Sequence, residues 1–396
     1  MKKAIKTAVL LLLCAALLLT GCAKASNEPA VEEKETAPFM ADYELLWETL
    51  ETDYPYLDYL RDRGVRVDSI RESFGERVKS VKKPESFALI VSQMFEKLEF
   101  TAHLFMIEQL FFSNLYATYV LDDEVCENPF FEPWRRTLKE AAATGRYTAP
   151  TEAQGSTDAK VGNYASVTVT YYEDCKTLCL KIPTFVFFVQ ERDHDVLQQA
   201  LEQYPEAENI VFDITGNSGG ADGYWRDNLV APFGEDQQCS LRMFFKGSPQ
   251  NLQIITPDEA KQTSELEDAP EWALKYGLDR YACFDMPVEG REAVHSDAKR
   301  WVLVDHVVYS SSEMFVCFCK ATGWATVAGK QTGGDGIGFS PVLRLLPDSG
   351  LLFEFDMTAG ENPDGTMNIE GTTPDIVLDT VDVDHLLELI RQEQTD

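Results

Sequence analysis

The chain has 396 residues, of which 35 are Lys or Arg and 66 are Asp or Glu, so its formal net charge is −31. A hydrophobic content of 44% is typical of a globular protein and excludes a disordered or fibrous chain, and the length allows about two or three domains. The acidity argues against a nucleic-acid partner, because phosphate binding needs a concentrated basic face.

The N-terminal segment predicts export and lipid anchoring. Lysines precede a run of twelve apolar residues, Ala8 to Leu19, which is shorter than the ~20-residue helix that spans a membrane. The run leads into an LTGC sequence at Cys22 that resembles a bacterial lipobox. We therefore expect residues 1–21 to be a lipoprotein signal peptide and Cys22 to carry the lipid. The mature protein should then be anchored at the extracytoplasmic face of the bacterial cell membrane; an ordinary secretory signal is the alternative.

After the predicted signal peptide, the sequence is polar up to residue 38 and shows helical apolar spacing from residue 39. Residues 22–38 are polar and predict a flexible tether, because they offer little apolar surface to bury. Residues 39–103 predict a helical bundle. Apolar side chains recur there at helical spacing in three stretches, Tyr43–Leu50, Ile70–Val78 and Phe87–Leu98. Residues 104–165 show no such regularity and are predicted to be an irregular connecting region.

Alternation of strands and helices begins after residue 166. A hairpin is predicted over 167–182, followed by buried strands at 209–214, 300–305 and 325–328. Helices are predicted between them, at about 196–204, 224–230 and 311–321, and a last one at 382–392. The pattern predicts an α/β domain with a mixed sheet over residues 166–396, in which residues 240–299 form a cap-like insertion.

Cysteine and histidine spacing argues against a metal or a cofactor. Seven cysteines follow Cys22 without a CxxC pair, and the five histidines show no HxxxH or HExxH spacing. No glycine-rich nucleotide motif is present either. We therefore predict neither metal nor cofactor. Cys175 and Cys179 flank the predicted hairpin turn and are candidates for a disulfide across it.

Candidate chemistry lies where two buried strands end, because ligands sit at the carboxyl ends of strands in α/β sheets. After the first strand, the loop of residues 213–220 has glycines that let backbone N–H groups converge on an oxyanion, with a simple tight turn as the alternative. After the second, Ser310 opens a helix whose N-terminus stabilises a nearby alkoxide. The alternative there is a capping box between Ser310 and Glu313.

Four segments in chain order resemble the tail-specific (C-terminal processing) serine protease family, which includes the tricorn protease core and the interphotoreceptor retinoid-binding domains. The loop at 213–220 is similar to the motif DxRxNxGG, with Thr215 where arginine is usual. Residues 310–313 match SxSE, residues 329–334 are similar to GExTxG, and residues 370–376 to the terminal EG…PDI motif. The resemblance implies a ClpP/crotonase-like protease domain behind the helical bundle.

The resemblance also implies residue roles. Ser310 corresponds to the nucleophile of an acyl-enzyme mechanism. The lysine of the Ser–Lys members corresponds to Asp335 here, so the tricorn-like scheme is expected, with His103 as general base and Glu370 supporting it. Lys320 and Lys330 are reserve candidates for the base.

The predicted oxyanion donors are backbone N–H groups of the two strand-end loops, those of Gly219 or Gly220 and of Ser311.

Two functions follow from these residues. One is a lipid-anchored serine-type endopeptidase acting on peptides or unfolded proteins. The alternative is a catalytically inactive, protease-like lipoprotein that binds peptides or apolar ligands, as Thr215 and Asp335 suggest. A solute-binding component of a transporter fits the lipobox but not the serine loop. The position of the His103 ring relative to Ser310 distinguishes the first two.

Overall fold

The computed structural model describes residues 37–151, 164–291 and 297–394. The predicted signal peptide, Cys22 and nearly all of the predicted tether lie outside these ranges. From Ala37 onward, the described residues belong to one compact unit. Among them, no helix combines the length and the apolar character that crossing a membrane requires.

The N-terminal helices follow the predicted apolar stripes. They are α1 (Met40–Thr52), α2 (Leu57–Asp62), α3 (Val67–Val78) and α4 (Pro84–Lys97). Each stripe is buried because its members share one helix face, as Leu46 and Leu50 do in α1. Proline at the first position of α4 leaves no amide hydrogen unpaired there.

Residues 104–165 differ from the predicted irregular region. The described part of this region contains the short strand β1 (Phe105–Met106) and the α-helices α5 (Gln109–Tyr116), α6 (Asp123–Glu127) and α7 (Glu132–Ala143). The longest of these, α7, buries Trp134, Leu138 and Ala141 along one narrow stripe. These three residues recur at i, i+4 and i+7, which is a helical spacing that the prediction of an irregular region did not use.

A six-stranded mixed sheet forms the centre of the α/β part, as predicted, in the order β13-β9-β8-β4-β3-β2. Its strands are β2 (Thr168–Tyr172), β3 (Thr177–Lys181), β4 (Asn209–Asp213), β8 (Lys299–Val304), β9 (Thr326–Gly329) and β13 (Ile376–Val377). Only the β2–β3 hairpin pairs antiparallel; the other neighbours are parallel. The carboxyl ends of β4 and β8 therefore lie side by side.

Helices cover both faces of this sheet. They are α8 (Gln190–Gln203), α9 (Asp222–Trp225), α11 (Ser311–Thr322) and α12 (Val383–Glu393), and α10 (Glu271–Lys275) lies in the predicted insertion. Nine consecutive residues at the start of α11 are buried, so this helix runs through the core. Such a buried helix holds its first residue firmly in place.

Two smaller sheets complete the fold. One has the order β12-β5-β7-β6, with β5 (Gln237–Phe245), β6 (Lys261–Gln262), β7 (Arg280–Val288) and β12 (Ala359–Gly360). The other is β1-β11-β10, with β10 (Val342–Leu346) and β11 (Leu351–Phe355). Pairing of β1 with β11 fixes the chain just before β1, because the Asp356 amide donates to the Ala102 carbonyl at 2.9 Å.

The two cysteines of the hairpin do not form the disulfide that their spacing suggested. Cys175 lies in the turn after β2 and Cys179 in β3, and both are buried free thiols. Burial raises the pKa of Cys179 to about 12, so this thiol stays protonated at neutral pH.

Candidate active site

Ser310 lies on a strained turn between β8 and α11. Its backbone has φ 57° and ψ −128°, a left-handed conformation that costs a non-glycine residue about 1–3 kcal/mol. The Ser310 amide donates to the Gly334 carbonyl at 3.1 Å, which ties the turn to the loop after β9. The side chain makes no capping hydrogen bond to α11. The capping-box alternative is therefore wrong, and the hydroxyl is not committed to its own helix.

The glycine loop after β4 packs directly on this turn. A Cβ atom at Gly219 would stand 3.0 Å from both the Ser310 Cβ and the Ser311 amide nitrogen. The Gly219 amide already donates to Asn217 Oδ1 at 2.9 Å. In the described residues, the amides of Gly220 and Ser311 have no acceptor. Of the predicted oxyanion donors, these two N–H groups are the free ones.

His103 is held by two carboxylates. Its Nδ1 lies 2.9 Å from Asp356 Oδ2 and 3.0 Å from Asp335 Oδ2. Tyr309, the residue before Ser310, donates its hydroxyl to Asp335, and its ring centroid lies 5.1 Å from that of His103. Asp335, at the position where the resemblance places the lysine of the Ser–Lys members, thus contacts the histidine.

The charges of this cluster are strongly coupled. Burial lowers the pKa of His103, but the Asp356 and Asp335 carboxylates outweigh it and hold that pKa well above its usual range. Burial raises the pKa of Asp356 to about 7, helped by the charge of Asp335. Burial also acts to raise the pKa of Asp335, but its hydrogen bond to His103 keeps that pKa below the usual value. His103 and Asp335 therefore form an ion pair, and Asp356 gains a proton near neutrality.

Ser310 and His103 face the same cavity, whose volume is about 560 Å³. Gly220 and Ser311, whose amides have no acceptor among the described residues, are also among the residues that line it. No hydrogen bond joins His103 to Ser310 in the described structure, and Nε2 of His103 has no partner among the described residues. Nε2 is therefore the ring nitrogen available to a reacting group in the cavity.

Glu370 is not brought to this cluster. Its side chain is exposed, and the groups whose pKa its charge influences are Tyr59, Arg63 and Tyr276, which lie outside the cluster. The reserve bases are also elsewhere. Lys320 pairs with Asp375, and Lys330 is exposed; neither lines the cavity.

The 213–220 loop has Thr215 where arginine is usual, but a lysine from a neighbouring strand contacts the loop. Lys181 Nζ donates to Asp213 Oδ1 at 2.9 Å and to the Thr215 carbonyl at 2.6 Å. The cation comes from β3 instead of from the loop itself. Thr215 therefore does not leave the loop without a positive partner.

A buried polar network lies behind Ser310. Glu313 in the first turn of α11 accepts from Asn368 Nδ2 at 3.0 Å and from Thr372 Oγ1 at 2.5 Å. Asn368 Oδ1 in turn accepts from the Gly336 amide at 2.6 Å, next to Asp335. Burial raises the pKa of Glu313 to about 7. The network links the helix of Ser310 to the loop of Asp335.

His103, Asp335 and Asp356 also have the composition of a cation site, since one ligand atom from each lies within 4.8 Å of the others. Nδ1 of His103 makes direct hydrogen bonds to both carboxylates. A metal ion would have to break both contacts. The arrangement fits a histidine oriented by carboxylates better than a metal centre.

The comparisons with known proteins place the chain among the peptidases. Residues 176–378, more than half of the chain, match Peptidase family S41, so the protein belongs to that family. This match confirms the protease family that the four motifs indicated. No curated protein matches the sequence significantly.

Solved structures share the fold at low sequence identity. A candidate peptidase from Parabacteroides merdae has a TM-score of 0.52 and 16% identity, covering 88% of this chain and 91% of its own. A lipoprotein from Streptococcus agalactiae has a TM-score of 0.50 and 11% identity, covering 90% and 97%. Mature CPAF has a TM-score of 0.50 and 11% identity, covering 91% and 96%.

Proposed function

We propose that this protein is a serine-type endopeptidase in which Ser310 is the nucleophile and His103 the general base. The observation that carries the proposal is the strained, uncapped Ser310 in one cavity with a histidine whose Nδ1 is bound and whose Nε2 is free. A serine hydroxyl is a weak nucleophile near neutral pH, so it needs such a base to remove its proton.

The proposed reaction uses these groups in turn. Ser310 Oγ attacks the peptide carbonyl and its proton passes to His103 Nε2. The oxyanion that forms accepts hydrogen bonds from the amides of Gly220 and Ser311, each of which contributes roughly 10²–10³ in rate. His103 then protonates the leaving amine, the acyl group remains on Ser310, and water releases it by the reverse steps.

The two aspartates take the supporting role that the sequence assigned to Glu370. With Asp335 and Asp356 at Nδ1, the imidazole keeps its Nδ1 hydrogen and presents Nε2 to the cavity. Tyr309 holds Asp335 in place through its hydroxyl. Glu370 is exposed and has no part in this scheme.

The raised pKa of His103 favours a second candidate, a binding protein without catalysis. An imidazolium paired with carboxylates cannot accept the Ser310 proton until the pH exceeds its pKa. The two candidates therefore predict different behaviour at alkaline pH. An endopeptidase gains activity as His103 loses its proton, and a pure binder shows none at any pH.

Peptide cleavage tests the proposal. Wild type, Ser310→Ala and the matched control Glu370→Gln are incubated with quenched fluorescent unstructured peptides between pH 6 and 10, and each is treated with a serine-directed fluorophosphonate. We expect cleavage and labelling of Ser310 in wild type and Glu370→Gln, and neither in Ser310→Ala. No cleavage and no labelling of wild type at any pH would reject the enzyme in favour of the binder.

We further propose that the chain is anchored outside the cytoplasmic membrane through a lipid on Cys22. The support is the lipobox-like sequence before this residue. The lipoprotein from Streptococcus agalactiae shares the fold, which is compatible with anchoring. Expression with a radiolabelled fatty acid tests it: wild type should be labelled and sediment with membranes, and Cys22→Ser should do neither.

A further inference from the structure

The cavity beside Ser310 has walls that are mostly apolar. Six side chains supply much of the lining: Phe111, Leu115, Tyr119, Met314, Ile337 and Phe339. A volume of about 560 Å³ lies within the 300–1,000 Å³ range of ligand pockets. This space is far larger than catalysis on a peptide bond alone requires.

The apolar wall reaches the nucleophile itself. Met314 lies one turn along α11 from Ser310, and its amide donates to the Ser310 carbonyl at 2.9 Å. Met314 and Ile337 are both nearly fully buried and line the cavity. A group entering the cavity therefore contacts apolar surface at the position where the scissile bond meets Ser310.

The mouth of the cavity is aromatic and exposed. Phe111, Tyr164 and Phe187 line it with exposed fractions of 36%, 37% and 65%. Exposed aromatic side chains around a cavity typify sites that bind an apolar partner. An extended peptide lying across this rim would have one side chain directed into the cavity.

Apart from His103, the charged side chains that line the cavity are acidic. They are Asp222, Asp335 and Asp356, and no lysine or arginine is among the described residues lining it. Two of these carboxylates are bound to His103, and burial raises the pKa of Asp222. A substrate carboxylate would find no lysine or arginine here, and His103 is already paired with two carboxylates, so the cavity offers no free cation to such a group, whether it belonged to a side chain or to a chain terminus.

We propose that this cavity selects the substrate: it takes a large apolar or aromatic side chain from an internal segment of an unfolded polypeptide, and it does not recognise a free C-terminal carboxylate. This inference rests on the proposed peptidase function for its consequence, cleavage next to such a side chain. The binding preference itself is measurable without cleavage.

The probe is one unstructured fluorescent peptide carrying Phe, Ala, Lys or Asp at a single internal position, with its C-terminus either free or amidated. Fluorescence anisotropy measures binding to the uncleaving Ser310→Ala protein. We expect the Phe peptide to bind about 10- to 100-fold more tightly than the Ala peptide, which corresponds to burial of one large apolar side chain. The Lys and Asp peptides should bind more weakly than the Phe peptide, and amidation should change binding less than twofold.

A charge placed in the cavity provides a second test. Thr118 is exposed and lines the cavity, so Thr118→Arg adds a cation without removing a buried side chain. We expect this variant to bind the Asp peptide at least about tenfold more tightly than its parent. Thr380→Arg, at an exposed position outside the cavity, is the matched control and should leave the order of peptides unchanged.

The outcomes separate the two proposals. Equal binding of the Phe and Ala peptides, preference for Lys, loss of binding on amidation, or no binding at all would overturn the cavity assignment. Tight selective binding of the Phe peptide without cleavage by wild type would support the cavity assignment. That result would reject only the peptidase function.

Discussion

The pair of aspartates on His103 should set the pH at which the protein becomes active. Nδ1 lies 2.9 Å from Asp356 and 3.0 Å from Asp335, in a buried site where such contacts are strong. Both carboxylates favour the imidazolium, which cannot act as a base. We therefore expect kcat/KM to rise with pH through a limb above the usual histidine range. Asp356→Asn removes one charge and keeps the shape of the side chain.

The size of the effect follows from the hydrogen bond that loses its charge. A hydrogen bond to a charged group contributes about 1.5–3 kcal/mol, and one pKa unit corresponds to about 1.4 kcal/mol. The limb should therefore move to lower pH by about one to two pH units in Asp356→Asn. Because burial raises the pKa of Asp356 to about 7, this carboxyl carries its charge only above neutrality, where the limb lies. The substitution should accordingly have little effect on charge below pH 6.

The assay is cleavage of a quenched fluorescent peptide, with kcat/KM measured from pH 5 to pH 10. Glu370→Gln is the control, because it removes an acidic charge at an exposed position away from His103. A limb that stays at the same pH in Asp356→Asn, or moves equally in the control, would refute the reasoning. A limb that moves upward would show that Asp356 does not stabilise the imidazolium.

The remaining predictions concern stability and the roles of single residues. Ser310→Gly should raise the free energy of unfolding by about 1 kcal/mol while abolishing cleavage, because glycine adopts a positive φ without strain; no gain over Ser310→Ala in urea unfolding would contradict this. Glu370→Gln should keep kcat/KM within about twofold, and a loss of tenfold would restore Glu370 to the mechanism. Asn368→Ala should lower the free energy of unfolding by about 2–3 kcal/mol, because Glu313 loses one of its hydrogen-bond donors and the Gly336 amide loses its acceptor; an unchanged urea midpoint would contradict this. Burial raises the pKa of Glu354 to about 8, so the folded state holds a proton that the unfolded state releases, and the free energy of unfolding should fall by at least about 2 kcal/mol from pH 5 to pH 8. Glu354→Gln should flatten that fall, and an unaltered slope would contradict the assignment.

The sequence predicted the α/β part well because its strands carry a simple signal. Strands β4 and β8 are buried on both faces and appear as short apolar runs, and the helices between them have clear stripes. Helix α7 has a helical signal too, since Trp134, Leu138 and Ala141 are buried at i, i+4 and i+7, but the stripe is short and stands among polar residues. Its place is decided by contacts distant in sequence, such as the Trp134 indole donating to the Pro341 carbonyl. Local periodicity contains no information about contacts of that kind.

In the candidate site, too, contacts between distant segments could not be predicted from local sequence patterns. Motif matching drew attention to Ser310 and His103, and it treated Asp335 as a departure because a carboxylate cannot replace a lysine base. In the structure, Asp335 Oδ2 lies 3.0 Å from His103 Nδ1. The position of Asp335 can therefore hold a hydrogen-bond partner of the proposed base His103, which comes from a different segment of the chain. Asp356 gave only a weak signal, an acidic residue directly after a buried strand, and its role depends on the pairing of β1 with β11. The departure at Asp335 and the position of His103 are thus linked by a direct contact: the carboxylate that stands where the resemblance places a lysine is a hydrogen-bond partner of the histidine.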